Sequence, residues 1–171
     1  MSSVTPTEVG SFFLTLVVPI ITGVVAAGFT AFFALNRFYR EKWWEKKHAA
    51  YNQLIDKLFE IKAIYSHASD FYEAEYNSNM YDKLPPKGSV DWDKFHQIKA
   101  QLRRFYVLAP ISLSHNTREL LNSFFKQDAA SDHSVYEEGY PDFVAYNDMA
   151  IFTQELIDAI VLDAEKELKF K

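Results

Sequence analysis

The sequence contains no cysteine among its 171 residues and no lysine or arginine before Arg37. Without cysteine, the chain has no disulfide scaffold, no thiolate zinc site and no cysteine nucleophile. Glu8 is the only charged side chain before Arg37, so residues 9–36 form a run of 28 residues without charge. A run of this length excludes an ordinary soluble globular protein.

The uncharged run at residues 9–36 is predicted to be a transmembrane helix. As a helix it would be ~42 Å long, which exceeds the roughly 30 Å hydrocarbon core of a bilayer. A cleaved signal peptide is the alternative interpretation. It is disfavoured because residues 1–8 carry no lysine or arginine, and because the apolar run is longer than that of a usual signal peptide.

The residues that flank this run predict its orientation. Five basic residues follow it closely, whereas the entry side offers only Glu8. The positive-inside rule therefore makes residues 1–8 a short external N-terminus and residues 37–171 a cytoplasmic domain. Three aromatic residues are expected at the cytoplasmic interface, where amphipathic rings lie at headgroup depth. They are Tyr39, Trp43 and Trp44.

One side of the predicted membrane helix combines small and hydroxylated residues. Gly23, Ala27 and Ala31 recur at every fourth position, a spacing that lets two helix backbones approach closely in lipid. The hydroxyl groups belong to Thr15, Thr22 and Thr30, within an arc of ~120°. We expect this side to pack against identical neighbours in a homo-oligomer. Two alternatives stay open: such residues are common in membrane helices, and the hydroxyl groups could line a pore.

Residues 37–171 are predicted to form an all-α domain. Apolar residues recur at spacings of three and four, and strand-like alternation is absent from the sequence. The predicted helices cover residues 37–76, 89–109, 115–127 and 142–168. Ser89 and Ser114 are expected to cap the second and third of these helices. The first helix continues the membrane helix and is apolar along two edges, so it should pack into a homo-oligomeric helical bundle.

The predicted cytoplasmic domain lacks the motifs of common enzymes. It has no Gly-rich phosphate loop, no HExxH and no GxSxG, and its five histidines show no ligand spacing. We therefore predict no enzyme, no cofactor and no metal site. Asp128, Asp132, His133 and Asp142 could bind a metal across a polar loop at residues 127–141, but they lack the alternating ligands of a calcium loop. The acidic residues from Asp163 onward are interpreted as solvated surface.

Basic residues on the second and third predicted helices form the candidate ligand site. They are Lys99, Arg103, Arg104, His115 and Arg118. Guanidinium groups bind phosphate and aromatic rings stack on bases, so the set suits a small cyclic nucleotide. The competing interpretation is that these charges pair with acidic side chains on exposed faces. Binding of bulk nucleic acid is not expected, because the chain after residue 36 carries 22 acidic and 18 basic side chains, a net charge of −4.

The segment NRFYREKWWEKKHAAYNQLIDKLFEIK at residues 36–62 follows the uncharged helix and resembles small bacterial single-helix membrane proteins with a helical cytoplasmic domain. In size and layout the chain is similar to the membrane-bound accessory effectors of type III CRISPR systems. That resemblance implies a protein of the bacterial inner membrane whose cytoplasmic oligomer binds cyclic tetra-adenylate and acts through the membrane in antiviral defence. It implies no particular binding residue. The alternative is a non-enzymatic, membrane-tethered scaffold that docks another protein.

Overall fold

A computed structural model describes residues 6–81, 84 and 86–169, and these residues form four helices and no strand. The helices are α1 (Pro6–Tyr81), α2 (Trp92–Ser112), α3 (His115–Glu138) and α4 (Asp142–Leu168). The predicted all-α fold is confirmed. Of the predicted external N-terminus, residues 1–5 lie outside the described part of the chain. Contacts divide the protein into two units, Met1–Glu45 and Lys46–Lys171.

The first unit consists of the N-terminal part of α1. Its described apolar side chains are exposed, among them Val24, Phe29 and Phe33. Among the described residues, α1 is the one helix that is long and apolar enough to cross a membrane. A contiguous exposed apolar surface is unfavourable in water and favourable in lipid, which is consistent with a single-pass membrane protein.

The second unit is a helical bundle around a single apolar core. The α1 residues that face this core follow the predicted spacing of three and four, and Leu54, Leu58 and Ile61 are fully buried. Residues from the other three helices complete the core: Ile98, Leu102, Leu121, Phe124, Leu156, Ile157 and Ile160. Helices α2 and α3 are antiparallel, since Lys99 contacts Asp128 and Tyr106 contacts Arg118. Helices α3 and α4 are antiparallel as well, since Ser114 at the start of α3 contacts Asp163 near the end of α4.

Helix α2 differs from its predicted boundaries at both ends. It begins at Trp92 rather than at residue 89, and Asp91 is its N-cap, because the Asp91 carboxylate accepts a hydrogen bond from the backbone N–H of Lys94 at 2.9 Å. The predicted cap at Ser89 is therefore wrong. At the other end, α2 continues past Pro110 to Ser112. Burial of Ala109 and Leu113 on either side of the proline holds this last turn against the core.

Helices α1 and α3 are longer than predicted. Helix α1 continues past residue 76 to Tyr81, ahead of the two prolines at 85 and 86. Helix α3 begins at His115 with Ser114 as its N-cap, as predicted, but continues to Glu138 instead of residue 127. The polar residues that predicted a loop lie on this helix. It ends at Gly139, whose φ of 70° is left-handed and favours glycine.

Candidate functional site

Two arginines and two aromatic rings meet on the surface between α2 and α3. The guanidinium carbon of Arg103 on α2 lies 5.5 Å from the ring centroid of Phe125 on α3. The guanidinium carbon of Arg118 on α3 lies 5.2 Å from the ring centroid of Tyr106 on α2. The two rings meet edge to face with centroids 6.0 Å apart. We call these four residues the arginine surface, and it brings together two of the predicted ligand-binding residues.

The guanidinium groups of the arginine surface have no acidic partner among the described residues. Neither Arg103 nor Arg118 has a carboxylate oxygen within 4.0 Å in the described part of the chain. The Nε atom of Arg118 is buried and makes no hydrogen bond to the described residues. A buried N–H group without a hydrogen-bond partner lowers the free energy of unfolding by roughly 1–3 kcal/mol. An anion that accepted a hydrogen bond from this N–H group would offset that loss. The surface is therefore suited to a phosphate or a carboxylate.

Lys99 is not part of the arginine surface. Its ammonium group forms an ion pair with Asp128 and lies 4.0 Å from an oxygen of Asp132. The hydroxyl of Tyr65 donates to the other oxygen of Asp128 at 2.5 Å. Burial, followed by the charge of Asp128, raises the pKa of Tyr65, so its phenol remains a donor. For Lys99 the geometry matches the ion-pair interpretation, and the contact connects α1, α2 and α3.

Arg104 also lies apart from the arginine surface. Arg104 faces a groove between α1 and α2 with a volume of about 610 Å³, whose other charged residues are Asp56, Lys57 and Glu60. Opposite charges are thus balanced within this groove. His115 is exposed at the first residue of α3. The structure therefore puts Lys99, Arg104 and the pair of Arg103 and Arg118 in three separate places.

A cavity lined by aromatic rings lies between the helices of the bundle and is open to solvent at Asp132 and Tyr136. It was not predicted from the sequence. All four helices contribute to it, and its volume is about 260 Å³. Trp92 and Tyr136 line this cavity together with Lys99. Tyrosines that recur at helical spacing resemble ordinary core residues in a sequence, so no local signal distinguishes them.

A buried carboxylate on α4 that contacts the start of α3 was also not predicted from the sequence. Asp163 on α4 accepts hydrogen bonds from the side chains of Ser114, Thr117 and Asn116, and from the hydroxyl of Tyr51 on α1. Burial alone would raise the pKa of Asp163, but the four hydrogen bonds together lower it. The interpretation of Asp163 as solvated surface is wrong. This cluster fixes the N-terminus of α3 against α1 and α4.

The predicted packing side of the membrane helix is uncovered in the single chain. Gly23, Ala27 and Ala31 are exposed, and no atom lies within 4 Å of the position that a Cβ would take at Gly23. The hydroxyl groups of Thr22 and Thr30 each donate to the backbone carbonyl four residues earlier at 2.8 Å. Both hydroxyl protons are therefore satisfied inside the helix.

The predicted packing residue Thr15 and the predicted interface residues also belong to this part of α1. Thr15, Tyr39 and Trp43 are exposed, and Trp44 is half-buried. Amphipathic aromatic rings such as those of Tyr39, Trp43 and Trp44 are typical of the membrane–water interface.

No protein-family model matches the chain, and no curated protein or solved structure matches it either. The resemblance to type III CRISPR effectors therefore stays a prediction. The described residues contain no group of three or more histidine, aspartate or glutamate side chains able to hold a metal ion.

Proposed function

We propose that this protein is a non-enzymatic receptor of the bacterial inner membrane that binds an anionic second messenger at the arginine surface. The observation that carries the proposal is the pair of guanidinium groups on Arg103 and Arg118. They lie against aromatic rings and have no carboxylate partner in the part of the chain that the structure describes. The proposed ligand class is a cyclic oligoadenylate, and the proposed output is a signal to the membrane in antiviral defence.

The chemistry of the arginine surface fits a phosphate-bearing ligand with planar bases. A guanidinium group donates two parallel hydrogen bonds to one phosphate, which gives both affinity and orientation. Tyr106 and Phe125 add ring surface next to these donors, and stacking on a base contributes roughly 1–3 kcal/mol. The net charge of −4 after residue 36 disfavours a long polyanion, whereas a compact anion interacts mainly with the local charges.

Helix α1 provides the proposed route from ligand to membrane. The same helix contains the predicted span at residues 9–36 and the core residues Leu54 and Leu58. A ligand that changed helix packing in the bundle would act on a helix that belongs to both units. We propose that the receptor is a homo-oligomer, with its N-terminus outside, its bundle in the cytoplasm and Gly23 at the helix contact.

The test is binding of cyclic tetra-adenylate to the full chain in detergent, measured by calorimetry. We expect Arg103→Glu and Arg118→Glu each to weaken binding by about tenfold to a hundredfold, because each removes a charged hydrogen bond and adds a repulsive charge. Arg104→Glu is the matched control: it makes the same charge change one residue away, but in the groove between α1 and α2. Its affinity should equal that of the unaltered chain.

Two results would count against the proposal. If Arg104→Glu abolished binding and Arg103→Glu left it unchanged, the ligand would bind in the groove between α1 and α2 and not at the arginine surface. An unaltered chain that binds no cyclic oligoadenylate would reject this ligand class. Circular dichroism of each variant shows whether the helices are retained.

A membrane-tethered scaffold is the second candidate, and an exposed apolar patch on α2 favours it. Val107 and Ile111 are 70% and 77% exposed, which is unusual for large apolar residues one turn apart. A scaffold would bind no nucleotide, and it would keep full antiviral protection when an unrelated membrane helix replaced residues 9–36. The receptor should lose protection in that exchange.

A further inference from the structure

The aromatic cavity is a built site with a composition different from that of the arginine surface. Six aromatic rings line it, and they come from all four helices of the bundle. The rings belong to Tyr65, Tyr72, Trp92, Phe95, Tyr136 and Tyr146. The remaining lining residues are His96, Lys99, Asp132 and Asp142.

Tyr146 is the central ring of this cavity. Its centroid lies 5.4 Å from that of Trp92, 5.6 Å from that of Tyr72 and 6.3 Å from that of Tyr65. The rings of Trp92 and Tyr65 in turn lie edge to face with Phe95. Rings that contact one another in this way have little freedom to move, so the cavity is preformed.

The charges around the aromatic cavity are predominantly negative. Among the described lining residues Lys99 is the only permanent cation, and its ammonium group is paired with the buried Asp128 and lies 5.5 Å from the ring centroid of Phe95. Asp132 shares this ammonium group at 4.0 Å, whereas Asp142 has no ion pair within the described residues. Burial and the charge of Asp128 raise the pKa of Asp132, against the opposing effect of Lys99.

We propose that the aromatic cavity binds a small organic cation of the quaternary or methylated ammonium class. Aromatic faces attract such cations through their quadrupole. The carboxylate of Asp142 adds long-range attraction at the same place. A metal ion is not expected, since no group of three or more His, Asp or Glu side chains in the described residues could hold one.

The size of the aromatic cavity sets the size of the ligand. A volume of about 260 Å³ lies just below the roughly 300–1,000 Å³ of drug-sized pockets. It is large enough for a trimethylammonium group with a short tail. Primary ammonium groups are strongly hydrated, so they lose more on entering a cavity walled by rings.

The test compares choline with its neutral isostere 3,3-dimethylbutan-1-ol, by calorimetry on the full chain in maltoside detergent. The two probes have the same shape and differ only in charge. We expect saturable choline binding below about 10 mM, with the alcohol at least about tenfold weaker. Equal affinities would show that the cavity recognises shape alone, and the absence of choline binding would show that it takes no such cation. Either result overturns the proposal.

Three variants locate the binding. Tyr146→Leu removes the central ring and should weaken choline binding by about tenfold, whereas Tyr146→Phe keeps the ring and should change it by less than about threefold. Asp142→Asn should weaken binding by about threefold to tenfold. Asp148→Asn is the matched control, an exposed carboxylate on the same helix outside the cavity, and should have no effect. If Tyr146→Leu unfolds, then unchanged binding in Asp142→Asn still contradicts the proposal.

A trimethylammonium group can come from a soluble metabolite or from a lipid headgroup. Repeating the titration in nanodiscs of phosphatidylcholine and of phosphatidylglycerol separates these sources. If choline binds more weakly in phosphatidylcholine nanodiscs than in phosphatidylglycerol nanodiscs, the lipid headgroup competes for the cavity and is its ligand. If choline binds equally in both, the ligand is a soluble cation. Both results support an ammonium site. Arg103→Glu should leave choline binding unchanged, because Arg103 does not line the aromatic cavity.

Discussion

At the scale of single residues, the buried carboxylate of Asp163 stabilises the packing of α3 against α1 and α4. It accepts hydrogen bonds from α1 and from the first turn of α3, and no basic side chain is within ion-pair distance among the described residues. Replacing it leaves several buried donors without an acceptor, and each such donor costs roughly 1–3 kcal/mol.

We therefore expect Asp163→Ala to lower the free energy of unfolding by about 2–4 kcal/mol. Urea unfolding of the full chain in detergent, followed by circular dichroism, measures the change. Asp158→Ala is the control, because Asp158 is an exposed residue of the same helix that accepts only from Gln154. It should change stability by less than about 0.5 kcal/mol. Equal effects of the two variants would contradict the assigned role of Asp163.

The same carboxylate should make stability depend on pH in the acid range. The hydrogen bonds lower the pKa of Asp163 in the folded protein, below the value of about 3.9 in the unfolded chain. Its contribution is thus complete above about pH 4 and is lost as the pH falls through the folded pKa. We expect Asp163→Asn to remove this part of the acid dependence, measured by urea unfolding at several pH values. A curve parallel to that of the unaltered chain would disprove the assignment.

At the scale of helices, the contact of Lys99 and Tyr65 with Asp128 connects α1, α2 and α3. We expect Lys99→Met to destabilise the bundle by about 3–5 kcal/mol, because it leaves the buried Asp128 unpaired. The double variant Lys99→Met with Asp128→Leu should recover most of that loss, since two apolar residues replace the ion pair. Thermal unfolding of the single and double variants measures both effects. A double variant as unstable as Lys99→Met would contradict the ion-pair role.

The helices also show how far the sequence predicts this fold. The all-α class, the start of α3 at its Ser114 cap and the extent of α4 follow from local patterns that tertiary contacts reinforce. The second half of α3 does not follow from local patterns, because Asp128 is polar and yet buried. Its partners Lys99 and Tyr65 are distant in sequence, so only the folded bundle reveals why a helix continues there.

The arginine surface could be predicted only in part, because it too depends on how the helices pack. Arg103 and Arg118 share a face only because α2 and α3 are antiparallel, which the short connection at residues 113–114 favours. Arg104, the next residue on α2, faces another groove. Charge and spacing on a single helix therefore predicted the residue types but not the division among three places.

At the scale of the whole molecule, the small residues of the membrane helix predict self-association. We expect Gly23→Leu to raise the monomer fraction by about tenfold in lipid vesicles, because a large side chain separates two closely packed helices. Val24→Leu is the matched control on the neighbouring position of the helix and should have no effect. Cross-linking of the full chain in vesicles, followed by denaturing gels, measures the monomer fraction. An oligomer that tolerates Gly23→Leu would contradict this packing side.

The contacts between the start of the bundle and α4 also set the order in which the protein can fold during synthesis. Tyr51 and its partner Asp163 are separated by 112 residues, and Lys47 and its partner Glu167 by 120. At the usual pace of translation, Tyr51 is made on the order of 10 s before Asp163. From the synthesis of Ser114 until that of Asp163, the N-terminus of α3 lacks its carboxylate acceptor. A chain stalled before α4 therefore remains incompletely packed and open to proteolysis.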